Sequence, residues 1–472
     1  MNSGPQPSLA RTYAHFVSQL RHDQIPQNVR RVAQWHIADS IGVAIAAADP
    51  EEPTGQALRA AAERWPADGG STVYGTGRRL RPDTAALVNG AFGQALEMDD
   101  KHGSSLARPG STVIPAALAA AEDAGSTIAD LLTSVVAGYE VMIRLGFVAG
   151  KRFLQRGYHT SSLIGGFGSV AAIGNLRGLS ASRIVDAFGI AGTMASGIQE
   201  ATRTGSTSKV LHGGWGAHSG MLASDLAEAG ITGPESVFEG EFGFFLTHLA
   251  PIEGELDWAT ASSGLGDRWH TPDTAIKPYP CCQLLHAFIV GLGQLRAEVV
   301  TAGLNPTAAE SITCRLAEPG LTLVTQPADR KVCPTAPHEA RFSLPYVAAH
   351  AFLRGDVDLE TFREKALADT EVLDLASKVK TGVDPDSDYP AHCPADIEVT
   401  VGGREFTRRV PYHPGSPEMP MTESDTLDKF ARNAAWLLGR EARAIGEQIA
   451  TMPENAQATD IAAAVAAGGA RS

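Results

Sequence analysis

Five cysteines in 472 residues are too few, and odd in number, for a disulfide framework. Cys281 and Cys282 are adjacent, a spacing that suits neither zinc nor an iron–sulfur cluster. Reduced thiols and no cluster are therefore expected. Positive charge is also scarce: 39 basic residues stand against 53 acidic ones, a net charge of −14. Binding to a nucleic-acid backbone needs a basic stripe, so that class is excluded and any anion site must be local. Apolar stretches such as Val113–Ala121 and Ile41–Ala48 are too short and alanine-rich to span a bilayer, and no membrane partner is expected. The opening MNSGPQPSLARTYAHF lacks the parts of a secretory signal, which predicts a cytoplasmic location. No Gly-x-Ser-x-Gly elbow supports a serine nucleophile. Gly165-Gly166-Phe167-Gly168 follows no strand and precedes no suitably spaced acid, which excludes a dinucleotide site.

What is present is enough apolar residue, 43%, to bury a large core divided between domains. From Ser8 to Ala250 the pattern is helix after helix, with Val29–Ala48, Thr84–Met98, Ile128–Phe147 and Ser180–Ile198 apolar nearly all round and rich in Gly and Ala where helices approach closely. After Pro278-Tyr279-Pro280 the period changes. Ser311–Leu316 alternates, and Ile397–Val401 and Glu405–Val410 flank Gly402-Gly403 as a hairpin, with helical Ala340–Arg354 and Leu359–Ala368 between them. Helix returns at Thr422–Ile449, where Ser424 and Asp425 are placed to cap, and the Ala/Gly-rich tail from Ala456 is expected to fray. The expectation is a mainly α protein: a discontinuous helical domain, 1–272 with 411–472, into which a smaller α+β domain, 273–410, is inserted.

Three basic side chains sit among small, tight-turning residues. His159 and Lys209 have no acid within helical-pair reach, and Lys277 has only Asp273, in a proline-flanked segment. Surface ion pairs do not explain them; an anion pocket does. Asp99, Asp100 and His102 lie at the C-terminal end of a predicted helix, where the macrodipole disfavours acids. They could ligate a divalent metal, though no second cluster completes a shell, or one aspartate could orient the next loop. Arg108 stands before the helix beginning at Val113, near amides that attract anions.

Residues 89–122, Gly157-Tyr158-His159, Ser208-Lys209-Val210-Leu211-His212-Gly213, Ile276-Lys277-Pro278-Tyr279-Pro280-Cys281-Cys282 with His286, Ala340-Arg341-Phe342-Ser343-Leu344-Pro345-Tyr346 and Gly415-Ser416-Pro417-Glu418-Met419-Pro420 follow one another in order. Together they resemble the MmgE/PrpD family over nearly the whole chain. The resemblance implies a helical domain with a lid, a homodimer, a metal-free site between domains, and a small di- or tricarboxylate substrate, whose carboxylates need charge-assisted partners. It places the active site at His159, Lys209 and Lys277, with Asp99 on the preceding loop. Arg108, Tyr158, His102 and Tyr279 are expected to bind substrate.

One position departs: relatives usually present a histidine before Pro109-Gly110-Ser111, where this chain has Arg108. Arginine clamps a carboxylate but cannot shuttle a proton at neutral pH. Leu321–Pro334 also lacks the tyrosine that the decarboxylase branch would offer. The family reactions share a carbanion beside a carboxylate, which Lys209 and Lys277 would stabilise. His159, with an ordinary pKa in range, would move the proton, and Tyr158 and Tyr279 stand as reserve acids. The expected activity is a cofactor-independent lyase, a dehydratase of the 2-methylcitrate dehydratase type; the alternatives are an epimerase of the iminodisuccinate type or a cis-aconitate-type decarboxylase. A non-catalytic helical dimer is the remaining alternative.

Overall fold

In the computed structural model, residues 8–251, 254–389 and 391–469 are described. Helices α1 (Gln27–Ala47), α2 (Pro82–Ala95), α3 (Val113–Ala124), α4 (Ile128–Ala149), α5 (Gly165–Leu176), α6 (Ala181–Met194) and α7 (Leu211–Glu228) build the first and larger core. Local chemistry sets their ends. Thr127 and Asp130 exchange hydrogen bonds in a capping box that starts α4, and α3 stops at Gly125, whose φ of 63° is cheap only for glycine. Helix α7 runs against α2 and α5. A Cβ on its Gly214 would fall 2.0 Å from the Leu87 carbonyl oxygen, so glycine is what permits the crossing.

The second core draws on residues from Cys281 to Val410. Its sheet has β1 (Ala309–Leu316) inside, β2 (Val379–Val383) parallel on one flank, and β3 (Ala395–Val401) then β4 (Arg404–Val410) antiparallel on the other. Helix α8 (His286–Thr301) lies on β3 and β4, and α9 (Leu344–Arg354) packs on α8. The chain then returns to the first core, where α10 (Glu423–Leu438) packs on α1. The fold is mainly α, as the periodicity predicts.

Several local expectations need correction. Strand β2 escaped notice because it is an edge strand of part-exposed and exposed residues without alternation. Thr422, with Asp425 reciprocating, caps α10 in place of Ser424. The tail does not fray: Thr459–Gly469 is helical, with Ile461 and Val465 buried, because Ala458 donates to the Ser126 carbonyl at 2.8 Å and docks the segment. The predicted helix 340–354 is interrupted, since Ser343 caps a new start by accepting from the Tyr346 amide. Finally, Ile128–Ala149 and Gln283–Thr301 are long and apolar enough to cross a membrane by length and composition, which the shorter stretches considered above are not. The first of these is buried within the core.

Candidate functional site

Helix α2 ends at Ala95, before its predicted end at Met98, and the chain enters a loop in which Glu97 and Leu106 adopt φ of 56° and 58°. Left-handed backbone costs a non-glycine residue about 1–3 kcal/mol, so the surroundings must hold both. At Leu106 they do so by a hydrogen bond, its carbonyl accepting from the Thr160 hydroxyl at 2.6 Å, and at Glu97 with charge. The Glu97 carboxylate is fully buried and takes the Lys209 ammonium at one oxygen; Arg108 Nη1 lies 3.7 Å from the other, and the Lys277 ammonium donates to the Glu97 carbonyl. Burial alone would raise the Glu97 pKa, but Lys209, Arg108 and Lys277 outweigh it and hold the group below the carboxylate range. Burial, aided by Arg108, pushes Lys277 down to about 8 against the pull of Glu97 and Asp99. Arg108 also donates to Asp99 at 3.0 Å, and the other Asp99 oxygen accepts from Gln94 and from Ser111, both at 3.2 Å.

Behind this layer the same loop is pinned by a second network. Asp100 accepts from the Gly110 amide at 2.7 Å and from the Tyr139 hydroxyl at 2.7 Å and lies 2.8 Å from His36 Nδ1, while the Lys429 ammonium lies 2.7 Å from Asp39. A two-residue ladder, Lys101–His102 on Thr274–Ala275, ties the loop to the segment leading into Lys277. Gly415 lies against that segment: a Cβ there would meet the Ile276 carbonyl oxygen at 1.9 Å.

In front lies a cavity of about 790 Å³ lined from both cores, with Lys101, Leu106, Arg108, His159 and Lys209 on one side and Cys282, Leu284, Leu323, Phe342 and Tyr389 on the other. Lys209 Nζ stands 5.2 Å from the Phe342 ring centroid. His159 is buried and its Nδ1 lies 3.0 Å from Nδ1 of His212, whereas its Nε2 is buried without a hydrogen-bond partner. Burial, then Lys209, His212 and Arg108, hold His159 well below 6.5; burial and Lys209 bring His212 to about 4. Both rings are neutral at neutral pH. That corrects the expectation that His159 titrates near neutrality: desolvation and neighbouring cations disfavour its charged form.

The residues singled out from sequence divide into groups. His159, Arg108 and Lys209 line the cavity. Lys277 is fully buried behind Glu97, and Asp99 orients Arg108 and borders a separate small void with His36, Asp39 and Asp100. Lys209 does have an acidic partner, Glu97, which sequence proximity hid. Tyr158 bridges to Ile198 and meets His248 edge-on at 5.3 Å; Tyr279 meets His286 edge-on at 5.2 Å. Neither tyrosine lines the cavity. His102 is likewise set apart. Its Nδ1 lies 2.9 Å from Ser105 Oγ, and it forms with His270 and Asp273 a group whose candidate ligand atoms all lie within 4.8 Å of one another. Two potential ligands that lie far from His102 in sequence thus stand beside it, because the two-residue ladder brings the 270–275 segment alongside.

Sequence reasoning missed Glu97, Gln94, Lys101 and His212. Glu97 stood in plain view among the acids after α2, and His212 three residues after Lys209, but nothing local marks either as facing the other elements.

Comparison with known proteins accords with this arrangement. The MmgE/PrpD N-terminal domain matches residues 11–253 and the MmgE/PrpD C-terminal domain residues 279–453. The cis-aconitate decarboxylase of Aspergillus terreus is 29% identical over 450 residues, 91% of this chain and 90% of that protein. A cis-aconitate decarboxylase-like protein of Aspergillus oryzae is 28% identical over 93% of both chains. The human cis-aconitate decarboxylase is 30% identical over 78% of this chain and 76% of its own. With both family domains matched in order across most of its length, the chain belongs to the MmgE/PrpD family.

Proposed function

We propose that this chain is a lyase acting on a small tricarboxylate, with decarboxylation of a cis-aconitate-type acid as the first reading. The observation that carries it is the convergence of Arg108, Lys209 and Lys101 on one cavity beside a buried histidine nitrogen without a partner. The cations neutralise the carboxylates and await the charge that develops on them. When the carbon–carbon bond to one carboxylate breaks, its electron pair remains on carbon and spreads into a neighbouring carboxylate, which Arg108 and Lys209 hold. His159, through Nε2, delivers the proton that completes the product. Lys277 acts from behind, fixing the Glu97 carbonyl and adding positive charge. Each of these steps falls to side chains of this chain, and we propose a homodimer in the cytoplasm with no nucleic-acid or membrane partner.

A specific feature favours a second reading, dehydration of a 2-methylcitrate-type acid. Arg108 stands where relatives usually present a histidine, and its charge, opposed by burial but sustained by Asp99 and Glu97, is permanent. Incubation with unsaturated and 2-hydroxy tricarboxylates followed by mass spectrometry separates the two: loss of carbon dioxide is expected from the first class. Loss of water from the second, with no decarboxylation, selects dehydration, and inversion without a change of mass selects an epimerase. Arg108→His should raise decarboxylation if the arginine steers the reaction elsewhere. No turnover of any acid by the wild-type protein would overturn the lyase reading.

A further inference from the structure

His212 is absent from the cavity wall, yet one of its nitrogens meets Nδ1 of His159, a residue of that wall. In an Nδ1···Nδ1 contact of 3.0 Å between two imidazoles, one nitrogen donates and the other accepts. The tautomers are therefore locked together: whichever ring carries the shared proton dictates whether His159 Nε2 is a donor or a base. His159 is buried, with Nε2 unpartnered, whereas His212 is partly exposed, at the start of α7.

We propose that His212 is the outer half of a two-histidine proton relay that serves His159, extending the lyase reading on which it rests. A proton from water enters at His212 Nε2, the His212 Nδ1 proton passes to His159 Nδ1, and the His159 Nε2 proton passes to the substrate carbon. Each ring gains one proton and loses one, so both end as the opposite neutral tautomer, neither becomes an imidazolium, and a hydroxide is left outside. Once product leaves, water in the cavity protonates His159 Nε2, the Nδ1 proton passes back to His212, and the His212 Nε2 proton neutralises the outer hydroxide; the hydroxide now in the cavity balances the carbon dioxide released. This suits the surroundings. Lys209 and Arg108 face His159 and disfavour a cation there, and His212 meets Lys209 and Glu97 with opposite effects. A lone neutral histidine in that place would give up its proton only by becoming an anion; the partner removes that obstacle. Run in reverse, the same walk carries a proton from substrate to solvent, as dehydration requires. His212 touches no substrate and is a positioning residue.

Two measurements test the relay. In the resting protein, nitrogen-15 NMR of labelled histidines should show a proton shared between the two Nδ1 atoms and a single His159 tautomer, which His212→Asn alters. Independent titration of the rings with no coupled proton overturns the proposal, whatever the protein's activity. On the substrate that the wild type turns over, His212→Ala should lower kcat by about 10²-fold, the lower end of general acid–base contributions, with little change in KM. Exogenous imidazole should restore several-fold of that loss in His212→Ala and none in His159→Ala. Full kcat in His212→Asn, which keeps a hydrogen bond but cannot pass a proton, overturns the relay, as does a loss in His212→Ala that imidazole leaves untouched. If the wild type turns over no acid, the lyase reading fails while the NMR result still decides the relay.

Discussion

Two charge clusters grip opposite faces of the loop from Glu97 to Ser111, and they are built differently. The inner one, His36, Asp39, Asp100, Tyr139 and Lys429, pairs its acids within itself: Asp100 takes an amide and a hydroxyl and stands 2.8 Å from an imidazole nitrogen, and Asp39 stands 2.7 Å from an ammonium. The outer one, Glu97, Asp99, Arg108, Lys209 and Lys277, carries more cations than anions, and its Arg108 and Lys209 line the cavity together with His159, whose Nε2 is unpartnered. A satisfied buried network rigidifies, whereas surplus cations at a cavity attract an anion. The contrast separates support from chemistry on a single loop.

The sharpest way to break that contrast is at His159. His159→Gln should lower kcat by roughly 10²- to 10⁴-fold with binding of an unreactive substrate analogue retained. A fully active variant would place His159 with the structural cluster. Next comes Lys209→Met, which takes the ammonium from one Glu97 oxygen and leaves the buried carboxylate with Arg108 at 3.7 Å. Loss of one partner of a buried pair costs about 3–5 kcal/mol, read by denaturant unfolding. Adding Glu97→Gln should restore most of that stability without restoring turnover, showing that the lysine is needed for more than its partner. On the inner face, Tyr139→Phe removes a 2.7 Å hydrogen bond to Asp100. It should cost about 1.5–3 kcal/mol of stability and leave kcat nearly unchanged. If turnover instead collapses while stability holds, the two faces are not functionally distinct.

The smallest effect is a pH dependence. Lys277 is held at about 8 against an ordinary 10.5, so between those values the unfolded chain binds the extra proton and the native one does not. The contribution of Lys277 to stability therefore rises with pH across that window, while the outer cluster loses one positive charge. Turnover at subsaturating substrate should accordingly decline above about pH 8 as stability holds or improves, and Lys277→Arg should move the decline upward. A profile flat to pH 10 in the wild type would show that the outer cluster does not depend on the Lys277 charge.

The helical core was readable in the chain because its signals are local. Apolar periodicity placed α1 and α4, and Gly402-Gly403 placed the β3–β4 hairpin, where both glycines adopt the positive φ that the turn requires, 60° and 70°. Strand β2 was not readable, since an exposed edge strand owes its existence to its neighbour β1 rather than to its own pattern. The docked tail is the same case: residues 454–458 are tied to the start of α4, and the helix Thr459–Gly469 that follows packs on α10.

The site follows the same rule. His159, Lys209, Lys277 and Arg108 stood out in the sequence because charge among glycines and prolines has no local use, and desolvation makes such residues costly unless something compensates. Which of them meet, and in what state, was decided only by the tertiary structure. Glu97 lies 112 residues from Lys209 and His159 lies 53 residues from His212, and no local spacing encodes either pairing. Protonation is more remote still from the chain's local pattern: neutral histidines and a lysine held near 8 arise from the dielectric and the charges that folding brings around them, which no run of neighbouring residues contains.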